Sequence, residues 1–276
     1  MRIITNTASL FRPSEGTELG IEVIPESVSL DGKALRDYID IETDEFVNRI
    51  RSGEMATTSQ PAVGEVLNLL EGNDEETILL TVADGLSGEY MTAIGVRNTL
   101  ANKDKIHVFN SGSLGGALRY MVKKASVLRS QGLSTGEILS QLKACGSSSR
   151  SYVIPADFQF LRRSGRISNL TSRLGTALNL IPVLTQTEDR HRISLMSIKR
   201  TWKAALDTVR KSMQEHGVDE NYLISVSYAD KKEAAERILT QIRESFPKTE
   251  NELLQLSPSL ITHGGPGCIV IQAIRK

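Results

Sequence analysis

Cysteine is scarce in this sequence, which has only Cys145 and Cys268, and neither belongs to a pair with metal-site spacing. This small number of thiols favours a reducing compartment and a chain without structural disulfides. We therefore expect a cytoplasmic protein. No apolar run approaches the roughly 18 to 20 residues of a membrane span, and the first residues lack a signal-peptide pattern. We therefore expect no integral membrane segment.

Net charge is also absent, because 33 basic side chains balance 33 acidic ones. A neutral chain gives no reason to expect nucleic acid or an anionic membrane surface as a general partner. The sequence contains no internal repeat, no G-x-G-x-x-G after a predicted strand and no G-K-[ST]. These absences argue against a phosphosugar or nucleotide binder.

What the sequence does contain is an alternation of short apolar runs and amphipathic segments over 276 residues. This length favours two domains, and we predict an α/β protein with a boundary in the polar run Gly146 to Ser149. Residues 1–149 alternate strands and helices, which predicts an N-terminal parallel α/β domain. Residues 150–276 predict a C-terminal mixed or antiparallel sheet with helices, including a hairpin of Val183–Gln186 and Ile193–Ile198.

The stretch Thr77–Tyr90 carries the first candidate site. Its apolar run Ile78–Val82 predicts a strand, and the small polar residues after it predict a turn into a helix that begins near Ser87 or Gly88. The first backbone N–H groups of a helix lack intrahelical partners and lie at the positive end of the helix dipole. We therefore predict an anion site at Ser87 that needs no lysine.

Two further clusters of small polar residues occur in the first half. Thr58 and Ser59 precede Pro61, which suits the first position of a helix, so we expect both hydroxyls at that helix N-terminus. Ser111 and Ser113 follow another predicted strand. Ligands of open parallel sheets bind beyond the carboxyl ends of the strands. Three strands of the first half end in such clusters, at Thr5 to Ser9, at Asp84 to Ser87 and at Asn110 to Ser113, and we therefore expect these three clusters to converge.

In the second half the segment Ile261–Gly267 is too rich in glycine to be only a connector, and we predict a turn that carries His263. Two helices are predicted before the hairpin, over Phe158–Arg163 and Leu170–Leu180.

Four motifs together carry a family resemblance. The sequence resembles the DegV family of bacterial fatty-acid-binding proteins over essentially its whole length, in the order and spacing of Thr58-Ser59-Gln60-Pro61, Gly85-Leu86-Ser87-Gly88, Leu161-Arg162-Arg163-Ser164-Gly165-Arg166-Ile167 and His263 ahead of Gly265-Pro266-Gly267. It departs from the family pattern at Thr5-Asn6-Thr7, Asp84 and Ser164.

The resemblance implies a carrier without catalysis of its own, which buries one long-chain fatty acid between two domains and requires no cofactor. The fatty-acid carboxylate would be held by Thr58, Ser59, Ser87 and His263. The supporting loops would contribute Gly88, Ser111, Ser113 and Gly265.

Some family members present the carboxylate to a separate fatty acid kinase, so the resemblance implies a kinase partner. Arg166, Arg200 and His263 would face that partner or the phosphate that it transfers. Arginine suits this role because its planar guanidinium donates several hydrogen bonds to a phosphate. We expect these three side chains to lie apart from the Ser and Thr clusters.

A different class of function stays open on the sequence, namely a serine hydrolase. Ser87, Asp157 and His263 occur in the chain order of the α/β-hydrolase triad, but Glu89 stands where the nucleophile elbow G-x-S-x-G requires its second glycine. Each residue also has an ordinary structural explanation, and Ser87 alone would be well explained as a helix N-cap.

Overall fold

In the part of the chain that the computed structural model describes, residues 1–157, 160, 163 and 180–276, the fold contains three sheets, nine α-helices of defined bounds and two short 3-10 helices, Thr7–Ser9 and Lys103–Lys105. The strands are β1 Arg2–Asn6, β2 Glu22–Ile24, β3 Ser27–Leu30, β4 Lys33–Arg36, β5 Ala56–Ser59, β6 Thr77–Thr81, β7 Ile106–Asn110, β8 Arg150–Ile154, β9 Ile181–Gln186, β10 Ile193–Lys199, β11 Tyr222–Tyr228, β12 Glu250–Gln255 and β13 Ile269–Arg275. The helices are α1 Pro13–Glu18, α2 Thr43–Arg51, α3 Val63–Leu70, α4 Glu89–Thr99, α5 Gly115–Ser130, α6 Thr135–Ser148, α7 Trp202–Glu215, α8 Lys232–Ser245 and α9 Pro258–Gly264.

A four-stranded parallel sheet in the order β2-β1-β6-β7 forms the centre of the first half. All five residues of β6 are buried, as expected for a strand covered on both faces. One face packs on α3 and α4, and the other packs on α5. The prediction of an N-terminal parallel α/β unit is therefore confirmed, although a small antiparallel sheet β4-β3-β5 accompanies it.

A six-stranded mixed sheet in the order β10-β9-β8-β13-β11-β12 forms the centre of the second half. Its pairs are antiparallel except β11 with β12, and β9 and β10 form the predicted hairpin. Helices α7 and α8 cover one face. The predicted mixed sheet with helices is confirmed.

Helix α5 lies between the two large sheets. It contacts β1 and β6 of the parallel sheet on one side and β11 and β13 of the mixed sheet on the other. Gln272 of β13 fixes its start, because the Gln272 side-chain oxygen accepts a hydrogen bond of 3.0 Å from Ala117 N. One hydrophobic core therefore extends from the first half into the second.

Helix α6 begins with a capping box of Ser134 and Glu137 and runs to Ser148, so it includes most of the polar run Gly146 to Ser149. Two local predictions are wrong. Thr58 and Ser59 lie on strand β5, which pairs with β3, and the next helix begins only at Val63. His263 lies in the last turn of α9 rather than in a turn between strands.

The division into domains at residue 149 stays a prediction, although β8 begins directly after it, at Arg150. The helices predicted over Phe158–Arg163 and Leu170–Leu180 fall largely outside the described residues.

Candidate functional site

A cavity of about 320 Å³ lies between the two halves of the protein. Its wall is mainly apolar and comes from both halves, with Leu86 and Leu114 from the first and Val153, Ile193 and Val270 from the second. A volume of this size lies at the lower end of the range of ligand-binding pockets, roughly 300 to 1,000 Å³. The cavity is therefore suited to an apolar ligand that contacts both sheets.

Five polar residues of the cavity wall form a group that we call the polar cluster: Thr58, Ser59, Gln60, Ser87 and His263. One hydrogen bond within it and one close approach to α4 define its geometry. Thr58 Oγ1 and His263 Nε2 are 3.0 Å apart, and a Cβ atom on Gly88 would lie 2.5 Å from the Gln60 side-chain oxygen. The cluster therefore unites β5 with the start of α4 and the end of α9.

Ser87 lies directly before α4, whose N-cap is Gly88. The Glu89 backbone N–H donates to Ser87 Oγ at 3.2 Å, so the serine oxygen satisfies one of the unpaired donors at the helix start. The Ser87 hydroxyl hydrogen can still donate to a ligand, because the oxygen serves here only as acceptor. The predicted position of Ser87 at a helix N-terminus is confirmed.

His263 belongs to the same cluster, so of the two positions expected for it the structure places it beside Thr58 rather than apart from the Ser and Thr residues. Its hydrogen bond to Thr58 has two forms, since either group donates according to the imidazole tautomer. With hydrogen on Nε2, His263 donates to Thr58, and the Thr58 hydroxyl hydrogen is available to a bound anion. The pair thus offers a donor to a carboxylate in the cavity.

Two glutamates that the sequence analysis missed lie beside the polar cluster. Glu26 lines the cavity, and Glu89 is 3% exposed at the first position of α4. The Asn6 side-chain amide donates to both, at 2.9 Å to Glu26 and 2.8 Å to Glu89, and Val82 N donates to Glu89 at 3.1 Å. Burial raises the pKa of Glu89 to about 7, against these hydrogen bonds, which lower it. We call Glu26, Asn6 and Glu89 the carboxyl network.

The strand-end turn after β6 is held by the hairpin of the second half. Gly85 has φ +87°, and an added Cβ atom would lie 2.5 Å from the His191 backbone oxygen. His191 Nδ1 is 3.0 Å from the Asp84 backbone oxygen. Only glycine combines this φ with such a close approach. Asp84 does not occur among the described residues of the cavity wall.

The remaining predicted residues do not lie together. Ser111 and Ser113 are buried, Gln272 donates to Ser113 Oγ at 3.4 Å, and neither serine lines the cavity in the described part of the chain. Gly88 lines it, whereas Gly265 ends α9 with φ +75°. Arg200 is exposed just after β10, and Arg166 lies outside the described residues.

A groove of about 530 Å³ on the outside of the polar cluster shares Thr58 and His263 with the cavity. Its other lining residues include Met55, Phe160 and Arg163. Arg163 lies over the Phe160 ring at 4.8 Å. The Thr58–His263 pair therefore separates the cavity from a surface groove.

Comparison with known proteins agrees with this architecture. The model of one protein family, described as an uncharacterised DegV family, matches residues 1–276. The chain belongs to the DegV family. A DegV domain-containing protein of Staphylococcus aureus strain N315 is 29% identical over 279 aligned residues, which cover 99% of this chain and 98% of that protein.

Solved structures show the same fold. A DegV family protein from Thermus thermophilus, whose structure is described in terms of fatty acid binding, superposes with a TM-score of 0.89 at 26% identity and full coverage of both chains. A stearic acid-binding protein from Eubacterium ventriosum has a TM-score of 0.89 at 22% identity, covering 100% of this chain and 99% of that one, which shows likeness of fold.

The hydrolase triad is poorly supported by the geometry of this DegV-family chain. His263 Nε2 contacts Thr58, and Asp157 is exposed, whereas the acid of a Ser-His-Asp triad is buried and orients the histidine. Across the described ranges there is no group of three or more side chains that could hold a metal ion. None of the helices described is both long and apolar enough to cross a membrane.

Proposed function

We propose that this protein binds one long-chain fatty acid in the cavity, with the carboxylate at the polar cluster and the alkyl chain along the apolar wall. The observation that carries the proposal is the combination of a mainly apolar cavity with one compact set of hydroxyl donors. The full-length likeness to the Thermus thermophilus protein supports it.

The polar cluster suits a carboxylate because its described residues offer several hydrogen-bond donors. Ser87 and Thr58 donate hydroxyl hydrogens, Ser59 adds a third, and the start of α4 adds the positive end of a helix dipole. A hydrogen bond to a charged group contributes about 1.5 to 3 kcal/mol. Such donors fix the orientation of the headgroup, while burial of the alkyl chain supplies most of the affinity.

We further infer that the bound carboxylate is presented to a separate fatty acid kinase. The groove outside the polar cluster supports this, because Thr58 and His263 line both the groove and the cavity in the described part of the chain. Arg163 lines the groove, and Arg200 is exposed after β10. The protein would then be a carrier, and the kinase would supply the catalysis.

Native mass spectrometry of protein purified from its host cells tests the binding proposal. We expect one co-purified fatty acid per chain, and the double substitution Thr58→Ala with Ser87→Ala should release it. Thr57→Ala is the matched control, since Thr57 is an exposed neighbour on the same strand and outside the described cavity wall. An empty wild-type protein that also fails to take up palmitate would overturn the proposal.

Presentation is tested by incubating palmitate-loaded protein with ATP and a fatty acid kinase from the same cells. Acyl phosphate should form only when both proteins are present. The hydrolase alternative is tested with a chromogenic ester: turnover that Ser87→Ala abolishes would replace the carrier function with an esterase.

A further inference from the structure

Two arginine side chains, Arg150 and Arg190, meet at the end of helix α6. Arg190 Nη2 donates to the backbone oxygens of Ser147 and Ser149, at 2.8 Å to each, and Arg150 Nη1 donates to Ser149 O at 3.0 Å. Two guanidinium groups therefore lie at hydrogen-bond distance from a single carbonyl oxygen. Arg150 begins β8, and Arg190 lies in the loop between β9 and β10, so separate elements bring the two charges together.

No acidic side chain of the described chain forms an ion pair or a hydrogen bond with either guanidinium group. Burial lowers the pKa of Arg190, and repulsion by the positive charge of Arg150 lowers it further. The nearby Cys145 thiol is not a counter-ion, because burial raises its pKa and keeps it neutral. The two arginines are thus a pair of like charges in a partly buried place.

Capping of α6 explains only part of this arrangement. A cation that donates to the last carbonyl groups of a helix is favourable there, but the carboxyl end of a helix carries only roughly half of a negative elementary charge. The two guanidinium groups bring two full positive charges. Most of the positive charge at the end of α6 is therefore not compensated within the described chain, and the two groups repel each other.

A pocket of about 480 Å³ is lined by both arginines and by several hydroxyl groups, including those of Ser151 and Thr185. The one acidic residue in the described part of its wall is Glu188, which is exposed. Of the five N–H hydrogens on the Arg150 guanidinium, only one on Nη1 has a partner among the described atoms. The free N–H groups of a planar guanidinium match the oxygens of a phosphate, which they bind in pairs.

We propose that Arg150 and Arg190 form a phosphate-binding site, which takes inorganic phosphate or the phosphate group of a small phosphate monoester. At pH 7 a phosphate monoester carries about 1.5 to 2 negative charges and three acceptor oxygens, so one such group offsets the charge of both guanidinium groups. Because the pocket has room for more than a phosphate ion, we expect a monoester to bind more tightly. No described residue lines both this pocket and the cavity, so the inference is independent of the proposed function.

Isothermal titration of the protein at pH 7 and low ionic strength tests the site, with inorganic phosphate and β-glycerophosphate as probes. We expect one site per chain, with a Kd below about 1 mM for β-glycerophosphate and a higher Kd for inorganic phosphate. Arg150→Gln and Arg190→Gln should each raise the Kd at least about tenfold, because glutamine keeps an N–H donor but removes the positive charge. A Kd for inorganic phosphate equal to or below that of the monoester would identify free phosphate as the ligand of the same site.

Arg192→Gln is the matched control, because Arg192 is an exposed arginine of the same loop outside the described wall of the pocket, and its Kd should stay within about twofold of the wild-type value. Glu188→Gln should bind at least as tightly as the wild type. Absence of binding by both probes at about 10 mM overturns the inference. An equal loss of affinity in Arg192→Gln and Arg150→Gln also overturns it, since it would show only a general attraction of anions. If Arg190→Gln does not fold, Arg150→Gln decides, because Arg150 donates a single hydrogen bond within the described chain.

Discussion

Substitution of Glu89 by glutamine should change how the free energy of unfolding depends on pH. The folded state raises the pKa of Glu89 from 4.5 to about 7, chiefly through burial. A folded-state pKa above the unfolded value means that stability from the protonated group is fully present below about pH 4.5 and is lost as the pH rises through about 7. This rise in the pKa of Glu89 corresponds to about 3 kcal/mol of the free energy of unfolding.

The glutamine side chain cannot ionise, and its oxygen can accept from both Val82 N and Asn6, which share one Glu89 oxygen. We therefore expect the free energy of unfolding of the variant to rise relative to that of the wild type, by up to about 3 kcal/mol, as the pH rises from 5 to 8.5. Urea unfolding of the lipid-free proteins at four pH values, followed by circular dichroism, measures the difference. Titrating groups that do not interact with Glu89 contribute equally to both proteins and cancel.

Glu71→Gln, at an exposed position, is the control and should run parallel to the wild type. A constant difference between Glu89→Gln and the wild type from pH 5 to 8.5 would refute the reasoning, because Glu89 would then ionise in the fold as easily as in the unfolded chain.

Three further outcomes are expected. Shortening the fatty acid by four carbons should weaken binding more than Ser87→Ala does in the same titration, since four buried methylenes contribute about 3 kcal/mol against about 1.5 to 3 for one hydrogen bond to a charge; the reverse ranking would contradict a buried chain. Gly116→Ala should lower the melting temperature, because its Cβ atom would lie 2.2 Å from Ser225 Oγ, whereas Gly95→Ala has open space and should raise it. Arg200→Ala should lower phosphorylation by a cognate kinase at least about tenfold, or about 1.4 kcal/mol, while palmitate occupancy stays within a few-fold; an empty variant would show that Arg200 holds the lipid.

The central elements could be predicted because their signals are local. The apolar run that became β6 is bounded by polar residues, and small polar residues follow it at the start of α4. The hairpin of β9 and β10 is likewise defined by two runs and a short loop. In these segments the periodicity and the turn residues agree with the tertiary structure.

The placement of Thr58 and His263 could not be predicted in the same way. Thr58 precedes Pro61, which favours a helix start locally, but pairing with β3 keeps it in a strand. For His263 a signal was present, since Ser257 and Pro258 form a normal helix beginning, yet the glycines that follow dominated the interpretation. In each case the secondary structure is determined by residues outside the motif. For Thr58 these residues belong to the neighbouring strand β3, and for His263 they lie at the start of α9.

The carboxyl network left no usable local signal. Glu89 looks like an ordinary acidic residue in the first turn of a helix, and Glu26 follows a proline between two short strands. Both accept a hydrogen bond from Asn6, which is 20 positions from Glu26 and 83 from Glu89. A single sequence gives no reason to join residues at those distances.

The position of α5 between the two sheets has a consequence for how the chain is made. The strand β13, against which α5 packs, is completed at Arg275, long after the helix itself ends at Ser130. At about 5 to 20 residues per second, a ribosome needs roughly 7 to 30 s to add the intervening stretch. Throughout that time the apolar side chains of α5 that belong against the second sheet face water. We therefore expect chaperones to bind the nascent chain. A truncated product that lacks β13 would keep this apolar surface of α5 exposed and would be prone to aggregate.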